Sequence, residues 1–156
     1  MIRTLNQTEQ FVILNTNYIG NLAYLYQGRP FVAPITYFYN QEQNTVICYS
    51  ALGHKISALR KNNAVSLCVS DIVSVNDWKS VLVHGTYKEE SGSTAKALLH
   101  QFSLVIKDLI LKKEMRDLDF ISQFSSKINM NNLPIVFTLS IEEITGRMRK
   151  HQIASV

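Results

Sequence analysis

"TVICYSALGHKISALRKNNAVSLCVS", residues 45–70, decides how this chain folds. It opens on a β-prone run (45–50), crosses a polar corner, enters a short helical stretch (54–62) and returns to a second β-prone run (64–70). The corner holds Ser50, Gly53, His54 and Lys55. A helix that begins near Gly53 presents free backbone N–H groups and the positive end of its dipole. Ser50 adds a hydroxyl. Lys55 adds a full charge in the first turn, where it opposes the dipole by about 0.3–1 kcal/mol. A bound anion would turn that misfit into affinity. The same residues also describe a capped surface helix with Lys55, Arg60 and Lys61 in water, because the GxxxxGK[ST] spacing of a P-loop is absent. On the residues alone both readings stand.

Working outward, "NQTEQFVILNT" (6–16) predicts a short helix capped by Asn6 or Thr8. "YIGNLAYLY" (18–26) and "FVAPITYFY" (31–39) flank a turn at Gly28, which predicts a hairpin. In the second run Phe31, Ala33, Ile35, Tyr37 and Tyr39 share one face, and Val32, Pro34, Thr36 and Phe38 the other. Bulk on both faces predicts a strand covered on each side. Pro34 cannot donate to a ladder, so it predicts an edge, a bulge or broken pairing.

A fifth strand is expected over 78–91, with Gly85 marking a bulge or a close approach. The period then changes. Leu98, Phe102, Val105, Leu109 and Lys112 follow helical spacing, and Leu118, Ile121 and Phe124 begin a second helix. "PIVFTLSIEEI" (134–144) alternates again and predicts a closing strand. Six short strands with few helices among the first five predict a mainly β, α+β fold. It is a closed or nearly closed antiparallel barrel with helices outside it or plugging an end.

The 156 residues fit a single domain spanning 1–156. A hydrophobic share of 46%, a charged share of 18% and a formal charge of +4 describe a globular chain rather than a disordered one. Cys48 and Cys68 sit in apolar runs without a CxxC pair, and the opening residues lack a signal-peptide pattern. This predicts buried thiols in a cytoplasmic setting with no membrane span. The four histidines, His54, His84, His100 and His151, show no metal-ligand spacing, so no metal is expected. A nucleic-acid role would need Lys55, Arg60, Lys61, Lys112, Lys113 and Arg116 in a stripe. They are scattered, which argues against it.

The order of these pieces resembles the pyridoxamine 5'-phosphate oxidase-like family of FMN-binding split barrels, especially its nitroimidazole-resistance-like branch. "IGNLAYLYQGRPFVAPITYFYN" looks like the family's first hairpin, and residues 45–70 like its strand, phosphate corner, helix and strand. "WKSVLVHGTYKEES" and "PIVFTLSIEEITGR" look like its long and closing strands. The resemblance implies a six-stranded antiparallel split β-barrel with peripheral helices, a homodimer, and FMN at the subunit interface. Ser50, Gly53 and Lys55 would then hold the phosphate, with Ala51, His54 and Ile56 lining the corner. Pro34, Ile35, Thr36 and Tyr37 would run beside the isoalloxazine ring. Trp78, Lys79, Ser80 and Val81 would lie near it, and among the aromatics Trp78, at a strand start, is the best candidate to stack on a ring.

The implied activity is an oxidoreductase that passes electrons from NAD(P)H through FMN to a small electron-poor acceptor. The alternative is a non-catalytic flavin- or tetrapyrrole-binding carrier or sensor. No protein nucleophile is evident and no catalytic residue is assigned, as expected when a cofactor carries the chemistry. The oxidases proper have a richer set of basic phosphate ligands and an Arg-containing C-terminal substrate segment. The tail here, "ITGRMRKHQIASV", does not match that segment. Arg147, Arg149, Lys150 and His151 read as a solvated basic tail or as an improvised anion site.

Overall fold

The computed structural model describes residues 1–114 and 134–151. In chain order the elements are β1 (Ile2–Thr4), α1 (Gln7–Thr16), β2 (Ile19–Tyr26), β3 (Arg29–Asn40), β4 (Thr45–Ser50) and α2 (His54–Lys61). Then come β5 (Ala64–Ser74), β6 (Asp77–Glu90), α3 (Gly92–Glu114) and β7 (Ile135–Arg149). The expected helix at Leu118, Ile121 and Phe124 lies outside the described residues, as does Arg116.

The sheet runs β7-β4-β3-β2-β5-β6, and β6 pairs back onto β7, so six antiparallel strands close into a ring. The short β1, absent from the sequence expectation, adds to β7 through Ile2↔Arg149 and Thr4↔Arg147. The β2–β3 hairpin turns through Gln27 (φ 50) and Gly28 (φ 73). Two consecutive left-handed residues are what a tight hairpin needs to match strand twist.

Ring closure depends on Gly85. The β6–β7 ladder shifts between His84↔Glu143 and Gly85↔Ile141, leaving Glu142 as the extra residue of a bulge on β7. A Cβ on Gly85 would run into the Ser140 carbonyl. The expectation of a bulge or close approach is met by both at once.

Two cores result. Inside the ring, Leu22, Tyr37, Cys48, Leu67, Val81, Phe137 and Leu139 are fully buried. α1 (Ile13, Leu14) and α2 (Ile56, Ala58, Leu59) pack onto the same cluster. α1 meets the end where β6 begins, and α2 the end where it finishes. Outside, α3 buries Leu99, Phe102, Ile106 and Ile110 against Ile47 and Val136. That row is one position off the expected Leu98, Val105 and Leu109, which are half-buried flanks. α1 is capped by Asn6, whose Oδ1 accepts from the Glu9 N–H at 2.9 Å, while Glu9 accepts from the Asn6 N–H.

Two expectations need correction. β3 is covered on both faces only toward its C-terminal half, where Phe38 meets the α3 cluster. Val32, on the same outer face, is 67% exposed because α3 does not reach it. The closing strand runs to Arg149, so Arg147 and Arg149 belong to a ladder with β1 and β6 rather than to a solvated tail.

Gly85→Ala is expected to lower stability by about 1–3 kcal/mol in urea denaturation, since the added methyl must push two paired strands apart. An unchanged midpoint would mean that the bulge can absorb a side chain.

Candidate functional site

The candidate site is a gap in the ring. β3 and β4 pair only from Tyr37↔Cys48 to Asn40↔Thr45. Continued by two residues, that register would set Ser50 opposite Ile35. Instead β4 follows β7 through Tyr49↔Val136 and Ser50↔Ile135, and β3 stays with β2 through Ile35↔Gly20 and Pro34↔Asn21. The two strands part. Pro34–Thr36 lines one side of the resulting slot, and Ser50–Gly53 begins the other.

The slot edge of β3 carries open backbone groups. Tyr37 N–H donates to the Tyr18 carbonyl on the β2 side at 2.9 Å. Backbone groups alternate along a strand, so those of Thr36 and Pro34 point the other way, into the slot. Proline is tolerated there because its missing N–H faces no partner strand. The edge expected from Pro34 is therefore present: the Tyr37↔Cys48 pairing occupies the Thr36 carbonyl with the Tyr49 N–H and leaves the Thr36 N–H and the Pro34 carbonyl open.

The opposite wall ends in the phosphate-like corner. Gly53 is the N-cap of α2 and no side chain caps the helix, so its first N–H groups face outward. Lys55 is half-buried and has no carboxylate partner among the described residues. Its charge reaches Cys48, whose thiol is pushed well above the usual range by burial and only partly drawn back by Lys55. Ser50 is half-buried, and its hydroxyl donates to the Ala51 carbonyl at 3.1 Å, an exposed local bond that a ligand can replace. The corner thus gathers uncapped donors and an unpaired cation, a donor set suited to a phosphate.

The remaining expected residues divide. Ala51 is exposed at the corner. Ile35, Tyr37, Ile56 and Val81 point into the core, so only their backbone can meet a ligand. Trp78, Lys79, Ser80 and Val81 lie on β6. The chain of registers Thr36↔Ile19, Asn21↔Cys68 and Ser70↔Ser80 sets them three strands from the slot, about 14 Å across the sheet. One protomer does not bring them to the corner. Ser80 instead hydrogen-bonds Ser70 at 3.0 Å.

His54, the first residue of α2, is neither a plain surface residue nor free in the slot. Its Nδ1 shares a 2.9 Å hydrogen bond with the Tyr24 hydroxyl, and its ring sits 4.8 Å from both Tyr26 and Phe31. The aromatic hairpin therefore fixes the start of α2. The other end is held by Arg60, which donates to both Glu89 oxygens (2.5 and 3.1 Å), while Tyr87 donates to Glu89 at 2.7 Å.

A second feature escaped the sequence. A cavity of about 740 Å³ opens at the α1 end, lined among others by Arg3, Glu9, Asp71, Asp77, Lys79 and Lys150. Arg3 is spent on Glu9 at 3.0 Å. These residues come from both ends and the middle of the chain, and the only sequence signal was the β-prone run Ser70–Ser74 continuing beyond the expected strand. No group of three His, Cys, Asp or Glu among the described residues could hold a metal, and no described helix is long and apolar enough to cross a membrane.

Four similarities bear on this geometry. Residues 6–148 match the family described as pyridoxamine 5'-phosphate oxidase. An uncharacterised protein of Rhizobium meliloti is 28% identical over 148 residues, 94% of each chain. A structure described as an FAD-binding protein of Mesorhizobium loti is 27% identical with a TM-score of 0.71, covering 96% of this chain and 99% of that one. A Bacteroides thetaiotaomicron structure, described in terms of 5-nitroimidazole antibiotic resistance, has a TM-score of 0.66 at 16% identity, covering 97% and 93%. At that identity the likeness is one of fold.

Hydrogen bonds from Arg60 first, with support from Tyr87, hold the Glu89 carboxyl below its usual range. A depressed carboxylate stabilises the fold above its unfolded pKa, and that contribution disappears as pH falls through the folded value. Glu89→Gln should therefore lower the melting temperature by roughly 1–3 °C at pH 7 and flatten its fall below about pH 4. Parallel acid limbs in the two proteins would contradict the lock.

Proposed function

For this member of the pyridoxamine 5'-phosphate oxidase family, we propose a flavoprotein that binds FMN, or a flavin containing it, in the slot between β3 and β4. The observation that carries the reading is the parting of the two strands, which sets open backbone groups opposite an uncapped helix start. Ser50, the α2 N–H groups at Gly53 and beyond, and Lys55 take the phosphate. The Thr36 N–H and the Pro34 carbonyl offer a donor and an acceptor to the flavin's pyrimidine edge. A bound flavin supplies two-electron chemistry between a nicotinamide donor, NAD(P)H, and a small electron-poor acceptor.

The chain's own residues orient the ring and exclude water; none is assigned a proton-transfer step. The FAD-binding description of the Mesorhizobium loti relative supports a flavin. Pyridoxamine phosphate is not the proposed substrate, because the C-terminal sequence does not match the Arg-containing substrate segment of the oxidases proper.

The functional unit is proposed to be a homodimer. The outer face of β3, β2, β5 and β6 has no helix over it among the described residues, and it carries Val32 and Ile19 at 67% and 56% exposure beside Pro34 and Leu82. A second copy covering this face would bring the partner's Trp78–Val81 segment toward the slot that one protomer leaves unfinished. Cys48 lies inside the ring and Cys68 on its outer face, so the two free thiols cannot pair. This supports a cytoplasmic setting.

Lys55→Ala should weaken FMN about 10- to 100-fold in a fluorescence titration while changing riboflavin less than 3-fold, because only FMN carries the phosphate. Equal losses would place the phosphate elsewhere. Val32→Glu should convert the dimer to a folded monomer in analytical ultracentrifugation, since a buried unpaired charge is strongly unfavourable in an interface. A dimer unmoved by it would exclude this face.

A further inference from the structure

We propose that a second subsite, beside α2, holds the adenylate half of a flavin dinucleotide, so that FAD binds more tightly than FMN. The inference rests on the flavin reading above and extends it from the phosphate corner along the helix.

A cleft of about 180 Å³ lies between the β2–β3 turn and the C-terminal half of α2, lined by Leu25, Tyr26, Gln27, Gly28, Ala58, Lys61 and Asn62. Its chemistry suits a nucleotide. Leu25 offers an apolar surface at 40% exposure. Tyr26 is a half-buried ring with the Lys61 ammonium 5.5 Å from its centroid. Lys61 has no carboxylate partner among the described residues, so its charge is available to a phosphate. Gly28 has a left-handed φ of +73 and nothing within 4 Å of an added Cβ, which leaves the turn's backbone open to close approach.

The cleft is linked to the corner through His54. His54 follows Gly53, and its ring meets Tyr26 edge-on at 4.8 Å. His54, Ala58 and Lys61 then form one stripe along α2 toward the cleft. The eight residues of α2 span about 12 Å, comparable to the reach of a second phosphate and ribose. A flavin mononucleotide would end at the corner and leave Tyr26 and Lys61 unused. A dinucleotide would continue past His54, place its second phosphate near Lys61 and lay its base against Tyr26.

The test is a calorimetric titration of flavin-free protein with riboflavin, FMN and FAD, on the unmodified chain and on Lys61→Gln and Tyr26→Ala. Thermal melts verify folding, and Lys61 is exposed, so at least that variant is expected to fold. The unmodified protein should bind FAD roughly ten-fold or more tightly than FMN, the scale expected for base stacking plus one phosphate contact. Lys61→Gln should bring FAD down toward the FMN value and change FMN less than two-fold. Equal affinity for FMN and FAD, or equal losses of both in Lys61→Gln, would overturn the subsite and leave the flavin reading standing. Failure of every flavin to bind would overturn both.

Discussion

The pairing of β6 with β7 is the constraint on which the rest of this structure depends. It runs from Trp78↔Arg149 to Glu90↔Val136 and turns an open sheet into a ring. Closure asks β7 to bend, and the extra Glu142 on β7 opposite Gly85 supplies the bend. Because β7 also pairs with β4 as far as Ser50↔Ile135, it draws the end of β4 away from β3. The slot is therefore a consequence of closure. One strand cannot serve two diverging neighbours, and β3 is left with an unpaired edge at the point where β4 turns into the corner.

The two plugging helices do different work. α1 closes its end through a capped first turn and an apolar side buried against Tyr37, whose hydroxyl donates to the Leu14 carbonyl at 2.8 Å. α2 is anchored at its start by Tyr24 and His54 and at its end by Arg60 and Glu89. Neither anchor occupies the first N–H groups of α2 or the Lys55 ammonium. A helix fixed at both ends yet uncapped presents its donors without having to order them when a ligand arrives, which favours affinity through preorganisation.

Much of this was legible in the sequence because it is local. The β4 limits, the Gly28 turn, the Asn6 cap and the tension at Gly85 each follow from a few adjacent residues. What was hidden depends on partners distant along the chain. The length of β7 past residue 144 rests on pairing with β1 and β6, which stabilises Gly146–Arg149 as strand although the composition reads as a basic tail. The half-open face of β3 reflects where α3 ends its reach, and no residue of β3 encodes that. The hydrogen bond between Tyr24 and His54 joins groups thirty residues apart. Likewise, the α1-end cavity gathers charges from Arg3 to Lys150. Within the site, the polar turn from strand to helix at Ser50–Lys55 was visible in the sequence, and its reading as a phosphate corner came from the resemblance, whereas the parting of β3 from β4 appears only once the registers are compared.

The measurement that tests the central claim most directly is the visible absorption spectrum of the protein purified without added cofactor, followed by FMN titration if it is colourless. The account predicts a bound-flavin spectrum, or saturable binding of one flavin per subunit. A folded protein that is colourless and does not bind flavin would contradict it, and the slot between β3 and β4 would then need a different ligand.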